Sequence, residues 1–265
     1  MKWTKMVTAA AVICIATGIG GGAPALALCT GTQAVSACST TCTSNCYLTT
    51  DLSCGYAQGL TLANGSNLDM CGRSLHCTAA LGCGAGVTMT GNNSQVSDSS
   101  QVASTIDAFW TPGVNCAGKT GSKVVGIKFD NIGTYSTVNC AKSEKNVFTT
   151  ANGLPAVYTT GVGNSDEIDN NSFQGDKGIY VDGDSSKITI HHNLFADGSY
   201  GITIASPSHA FDVNDNVFFG AGDQFVDSST YGTYARNYCD PTTTSCGTCQ
   251  SGGKCTVPAT PFTLP

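Results

Sequence analysis

The chain has 265 residues, 18 acidic against 12 basic side chains, and only 11% charged residues, with 32 Gly and 15 Cys. A net charge of −6 and just two arginines, Arg73 and Arg236, argue against a nucleic-acid partner, whose phosphates need a basic face. So much glycine with so little charge is unusual for a helical protein and suits stacked coils with many tight turns.

Met1-Lys2-Trp3-Thr4-Lys5 precedes an apolar run from Met6 to Ile19 and a stretch of small residues ending Ala25-Leu26-Ala27. Residues 1–27 therefore read as a secretory signal peptide cut after Ala27. Bulky Leu28 argues against a lipid-modified Cys29. No other run approaches the ~20 apolar residues of a membrane span. Loss of Lys2 and Lys5 leaves ten basic and eighteen acidic side chains, net −8, and loss of Cys14 leaves fourteen cysteines. An even number in a secreted or periplasmic chain predicts a disulfide framework, with its pairing open.

Residues 28–54 hold Cys29, Cys38, Cys42, Cys46 and Cys54 among Ser and Thr, and read as a Cys-rich N-terminal cap over the open end of a repeat. The repeat itself is expected over 55–240. Its first coil contains Gly59-Leu60-Thr61-Leu62, Asn67-Leu68-Asp69-Met70-Cys71-Gly72 and Ser74-Leu75-His76-Cys77, with Asp69 and Arg73 placed to pair across the turn. Residues 78–122, rich in Gly, Ser, Asn and Thr, read as a less regular coil or a long loop, the kind of segment that carries function. Trp110 within it is expected to pack, with sugar stacking as the alternative. Coils resume at Val124–Ile132, and the 40 residues from Asn131 to Asn171, nearly two coils, leave room for an irregular coil or an excursion containing Cys140.

The clearest repeat follows. Ile168-Asp169-Asn170-Asn171-Ser172-Phe173, Ile190-His191-His192-Asn193-Leu194-Phe195 and Val213-Asn214-Asp215-Asn216-Val217-Phe218 each place Asn three residues after an aliphatic and an aromatic two further on. Between them lie Gly178-Ile179-Tyr180-Val181 and Gly201-Ile202-Thr203-Ile204. The Asn residues recur every 22 to 23 positions, the mark of a solenoid built one coil at a time. Alternating apolar residues without helical spacing make the coils β-strands. The expected fold is all-β, a single-stranded parallel β-helix of about 22 residues per coil with disulfide-rich ends. Inward ladders are expected for Ile168–Ile190–Val213, Phe173–Phe195–Phe218 and Ile179/Val181–Ile202/Ile204. Asn171, Asn193 and Asn216 are expected at a tight bend, each amide bonding the next coil. Residues 241–265, with Cys246, Cys249 and Cys255, read as a Cys- and Pro-rich tail or cap.

These coils resemble the right-handed parallel β-helix of the pectate-lyase-like superfamily, whose coils carry Gly-Ile-x-Val and Ile-x-x-Asn-x-Phe. The resemblance implies a secreted protein that acts on or binds polysaccharide, as a lyase or hydrolase, along the outer face of the Gly-Ile-x-Val strand. The acidity counts against an anionic polysaccharide unless calcium bridges the two, which makes calcium the one cofactor to consider. The catalytic sets of the family's enzymes do not carry over. Where pectate lyases supply an arginine base, this chain has Gly198-Ser199-Tyr200-Gly201-Ile202-Thr203-Ile204.

On that strand the outward positions are expected to be Tyr158, Tyr180, Thr203 and Phe225, followed two residues on by Thr160, Asp182, Ala205 and Asp227. Aromatic rings stack on sugar faces, and neighbouring carboxylates bond hydroxyls or transfer protons. Asp182 and Asp227, two coils apart, would be about 9.6 Å from each other, near the upper limit for the acid–base pair of an inverting glycosidase. They are the candidate catalytic residues, with Tyr158, Tyr180 and Phe225 as sugar contacts. A second strip runs through Glu167, Thr189 and Asp212, then Asp169, His191 and Asn214. Asp169 beside His191 is suited to bind substrate or a metal, or to move protons. Strict strand alternation sends His191 and His192 to opposite faces, so no two-histidine metal clamp is expected. The alternative to a carbohydrate-active protein is a non-catalytic surface, adhesive or structural β-helix.

Overall fold

Every described element is a strand of two to five residues, because each apolar–polar alternation here is short and ends in a turn. The computed structural model describes residues 29–55, 59–79, 82–100, 102–150, 153–160, 166–175, 177–182, 187–196, 200–205, 211–219, 223–227 and 232–239. The expected signal peptide and the Cys-rich tail lie outside the described residues. The strands stack in parallel into one ten-stranded sheet and two nine-stranded sheets, here sheets A, C and B in the order one coil visits them. This is an all-β parallel β-solenoid of about 23 residues per turn.

The core is a set of ladders. In sheet A, Leu68, Val96, Val124, Ser143, Ile168, Ile190 and Val213 are in register from coil to coil. In sheet C the row runs Leu52, Leu75, Ile106, Phe129, Phe148, Phe173, Phe195, Phe218. Its five phenylalanines stack ring on ring at 4.7–5.2 Å, the spacing that parallel strands impose. In sheet B, Val157–Ile179–Ile202 and Thr159–Val181–Ile204 fill the third side. The three ladders expected from the repeat are all present.

Where sheet C turns into sheet B there is room only for small residues. Gly59, Gly86, Gly113, Ser136, Ala156, Gly178 and Gly201 form a row that follows from the register of the strands beside it. A Cβ on Gly178 would lie 2.4 Å from the Gly201 carbonyl and 2.5 Å from the Phe195 ring. The large Phe and the small Gly of each repeat are thus one packing decision.

The bend from sheet A to sheet C takes one left-handed residue followed by asparagine. The left-handed residues are Lys145, Asn170, His192, Asp215 and Arg236, at φ 54–57°, so it is the residue before each ladder asparagine, not the asparagine itself, that adopts this conformation. Asn146, Asn171, Asn193, Asn216 and Asn237 form the ladder. Each of the first four donates its side-chain N–H to the next Oδ1 at 3.0–3.1 Å. Each of these four also donates to a backbone carbonyl of the preceding coil. The Ile127 N–H satisfies Asn146 Oδ1 at the first rung. Asn131, which the spacing placed with this series, instead ends a sheet C strand with φ 49°.

The first half adds detail in three places. Strands at 33–35 and 46–48 lie in the Cys-rich segment and already pair in parallel. Of the two readings of residues 78–122, the less regular coil holds and the long loop does not, with strands at Val87–Met89, Gln95–Ser97, Ser104–Asp107 and Val114–Asn115. Asp69 does not need Arg73: it accepts hydrogen bonds from Thr30 N–H and Oγ1–H, Cys71 N–H, and Ser99 N–H and Oγ–H, tying three coils together. Five disulfides, Cys29–Cys71, Cys38–Cys54, Cys42–Cys46, Cys77–Cys83 and Cys116–Cys140, reinforce this half.

Candidate functional site

Two outward strips collect the chemistry. On sheet B, the strands Val157–Thr159, Lys177–Val181, Tyr200–Ile204 and Asp223–Asp227 set one row as Tyr158, Tyr180, Thr203, Val226. Tyr135, from the turn one coil earlier, stacks on Tyr158 at 4.7 Å, and Tyr158 stacks on Tyr180 at 5.9 Å. The Tyr158 hydroxyl donates to Asp182 at 3.1 Å. Burial, then this bond to a carboxylate, raise the Tyr158 phenol above its ordinary value, so it stays a donor. Trp110 lies on the neighbouring coil, whose Gly113 N–H donates to the Tyr135 carbonyl. It was expected to pack; instead Phe109 takes the inward position, fully buried, and Trp110 is 60% exposed.

Phe225 and Asp227 do not continue this strip. The register sets Phe225 beside Ile202 and Asp227 beside Ile204, one residue away from the expected alignment. Asp227 therefore belongs to the row of Val181 and Ile204, and Asp182 to the neighbouring one. The step from Tyr180 to Thr203 is 23 residues and so is the next, whereas the expectation used 22 for the last coil.

On sheet A the expected alignment holds. Lys142, Glu167, Thr189 and Asp212 form one outward row and Glu144, Asp169, His191 and Asn214 the next. A chain of ion pairs crosses five coils: Lys145–Glu144 at 2.9 Å, Lys142 with Glu144 at 3.2 Å and with Glu167 at 3.0 Å, Glu167–His191 at 3.2 Å, and Asp215 gripped by both Nε and an Nη of Arg236 at 2.6 Å. Burial alone would raise Glu167, but Lys142 and then His191 outweigh it and hold the carboxyl below its usual range. Arg236 does the same for Asp215, and Lys145 for Glu144.

At the middle of this chain His191 and His192 converge. Their Nδ1 atoms are 2.8 Å apart. The opposite-faces expectation fails because His192 is the left-handed bend residue, φ 54°, and strand alternation stops at His191. Both rings reach Asp169 Oδ1, His191 Nδ1 at 3.1 Å and His192 Nδ1 at 3.4 Å. Asp169 is 7% exposed. Beside it a groove of about 440 Å³ follows the bend, lined by Lys145, Val147, Asn170, His192, Leu194 and Asp215 among others. On sheet C, His76 and Asp107 pair at 2.8 Å, half-exposed, as an ordinary surface pair.

No family model, curated protein or solved structure matches this chain. The disulfides fit an extracellular or otherwise oxidising environment. Among the described residues no helix is long and apolar enough to cross a membrane.

Proposed function

We propose that this chain is an exported β-solenoid that binds polysaccharide along the outer face of sheet B. The observation that carries the reading is the row Tyr135–Tyr158–Tyr180, with Asp182 bonded to its middle hydroxyl and exposed Trp110 one coil before it. Stacked rings cover each other's faces, so inner members offer edges and hydroxyls. A less covered ring stands at the end of the stack in Tyr180, whose next neighbour in the row is the small Thr203, and Trp110 adds exposed aromatic surface on the coil before Tyr135. An apolar face beside a carboxylate and hydroxyls is the chemistry that grips a pyranose. Binding is favoured over turnover because Asp182 and Asp227 fall in different rows. A purely structural rod is the second reading, favoured by the disulfides and the unbroken asparagine ladder.

The test is retention of the purified chain on a panel of insoluble polysaccharides, with and without calcium, following reducing ends and ultraviolet absorbance together. Retention by the native chain that drops at least tenfold in Trp110→Ala and in the Tyr158→Ala/Tyr180→Ala pair, with circular dichroism unchanged, supports the reading. Equal retention by these variants sinks the site, and no retention on any polymer favours the rod. New reducing ends would show a hydrolase, and new absorbance a lyase.

A further inference from the structure

The His191–His192–Asp169 cluster poses a problem in proton bookkeeping. The far nitrogen of His191, Nε2, lies 3.2 Å from Glu167 Oε1, a contact that favours the neutral tautomer with its proton on Nε2. That leaves a lone pair on Nδ1. When His192 carries its proton on Nε2, which lies 4.0 Å from Asp215 Oδ2, its Nδ1 is likewise bare. Two lone pairs then face each other across 2.8 Å, and both face Asp169 Oδ1. Asp169 Oδ1 is itself buried and accepts no hydrogen bond; its partner oxygen, Oδ2, takes the Asn170 side-chain N–H at 2.7 Å. A single proton on one Nδ1 can point either at the other ring or at Asp169 Oδ1, so it serves one of the two close contacts and not both.

We propose that Asp169 Oδ1, His191 Nδ1 and His192 Nδ1 are the protein ligands of a divalent transition-metal ion of the zinc class. The distances fit. The circle through atoms 2.8, 3.1 and 3.4 Å apart has a radius of about 1.8 Å, against about 1.9 Å for three ligands around a tetrahedral ion with bonds of 2.0–2.1 Å. An ion at that bond length from all three would sit about 1 Å out of their plane. Two imidazoles and one carboxylate select a borderline d-block cation and disfavour calcium and magnesium, which want oxygen. Glu167 holds His191 in the ligating tautomer, the usual second partner of a metal-bound histidine. His192, half-exposed on the groove, leaves the remaining position to water.

The sequence supplies the site through two accidents of one coil. His191 ends its strand facing outward next to Asp169 on the coil before, and His192 occupies the bend that in other coils holds Lys145, Asn170, Asp215 or Arg236. The left-handed backbone swings the second ring back over the first.

Calorimetric titration of the full, oxidised chain with Zn²⁺, and absorption spectroscopy with Co²⁺, test this. One ion per chain is expected, with a cobalt spectrum of nitrogen and oxygen ligands and no sulfur charge-transfer band. His191→Gln, His192→Asn and Asp169→Asn should each weaken binding a hundredfold or more, and Glu167→Gln about ten- to a hundredfold. Asn is suited to the left-handed bend, so His192→Asn decides the matter should Asp169→Asn fail to fold. Absent saturable zinc or cobalt binding, binding unchanged in His192→Asn, a sulfur-ligated spectrum, or preference for calcium would each overturn the assignment.

Discussion

The two halves of the solenoid solve the same problem with different bonds. A coil must bend sharply between sheets, and each bend exposes backbone groups to an apolar interior. From Asn146 onward a buried amide ladder satisfies them, and stacked phenylalanines fill the space beneath. Before Asn146 the repeat steps are less even, reaching 31 residues between Leu75 and Ile106, and among the described residues no such ladder spans them. There five disulfides and the carboxylate of Asp69 do the tying. Regular repeats permit a repeated non-covalent bond; irregular ones need individual fasteners.

The sharpest way to break this contrast is reduction. Each lost disulfide costs about 2–4 kcal/mol, so reductant should speed hydrogen exchange throughout residues 29–141 while strands from 142 onward keep their protection. Uniform loss across both halves would mean that the solenoid is one cooperative unit. Next in size is Asn193→Ala, which leaves the Ile168 and His191 carbonyls and the Asn171 donors without their partner. Several unsatisfied buried groups should cost on the order of 4 kcal/mol in urea unfolding, with exchange now faster in the second half.

Acid separates Asp69 in the first half from Asp166 in the second by sign. Burial would raise Asp69, but hydrogen bonds from Ser99, Thr30 and Cys71 outweigh it and lower the carboxyl. Its stabilisation is present above the unfolded value of about 3.9 and is lost as pH falls through the lower folded value. Asp166 is raised by burial, against the bond from Thr159. Its folded form prefers the proton, so this contribution is largest in acid and fades as pH rises from the unfolded value through the folded one. Asp166→Asn should therefore stabilise the chain at neutral pH by on the order of 1 kcal/mol, and the gain should vanish in acid. Thermal unfolding of both proteins across pH 3–8 checks it, and a gain that persists in acid would refute the burial argument. The partly buried carboxyls of Glu144, Glu167 and Asp215 are lowered like that of Asp69 and pull the other way, with solvent weakening their pairs.

Much of the second half was legible because side chains in stacked coils repeat at a fixed step. Three rows of apolar residues and the partners Asp169 and His191 followed from spacing alone. The step is not rigid, however. Turn length varies by one residue between coils, and a one-residue slip shifts a whole strand's register; that is how Phe225 and Asp227 fall out of the Tyr158–Tyr180–Thr203 row. Asn146 was readable in Lys145-Asn146-Val147-Phe148, but Ser143 stands where the pattern has an aliphatic residue. The meeting of His191 with His192 was hidden, since alternation describes strands and His192 is in a bend.

The ladder also makes the scaffold editable. Asn171 and Asn193 are 22 positions apart and occupy identical rungs. Excising residues 171–192 would join Asn170 directly to Asn193, whose Oδ1 would receive the Asn146 donors that Asn171 now accepts. Phe148 would then stack on Phe195, and the strands beside them would meet partners of the same kind. Such a shortened chain keeps every type of contact that holds a coil while losing both histidines and Tyr180. Architecture and surface chemistry are inherited in separate units here, so a coil can be gained, lost or exchanged as a cassette.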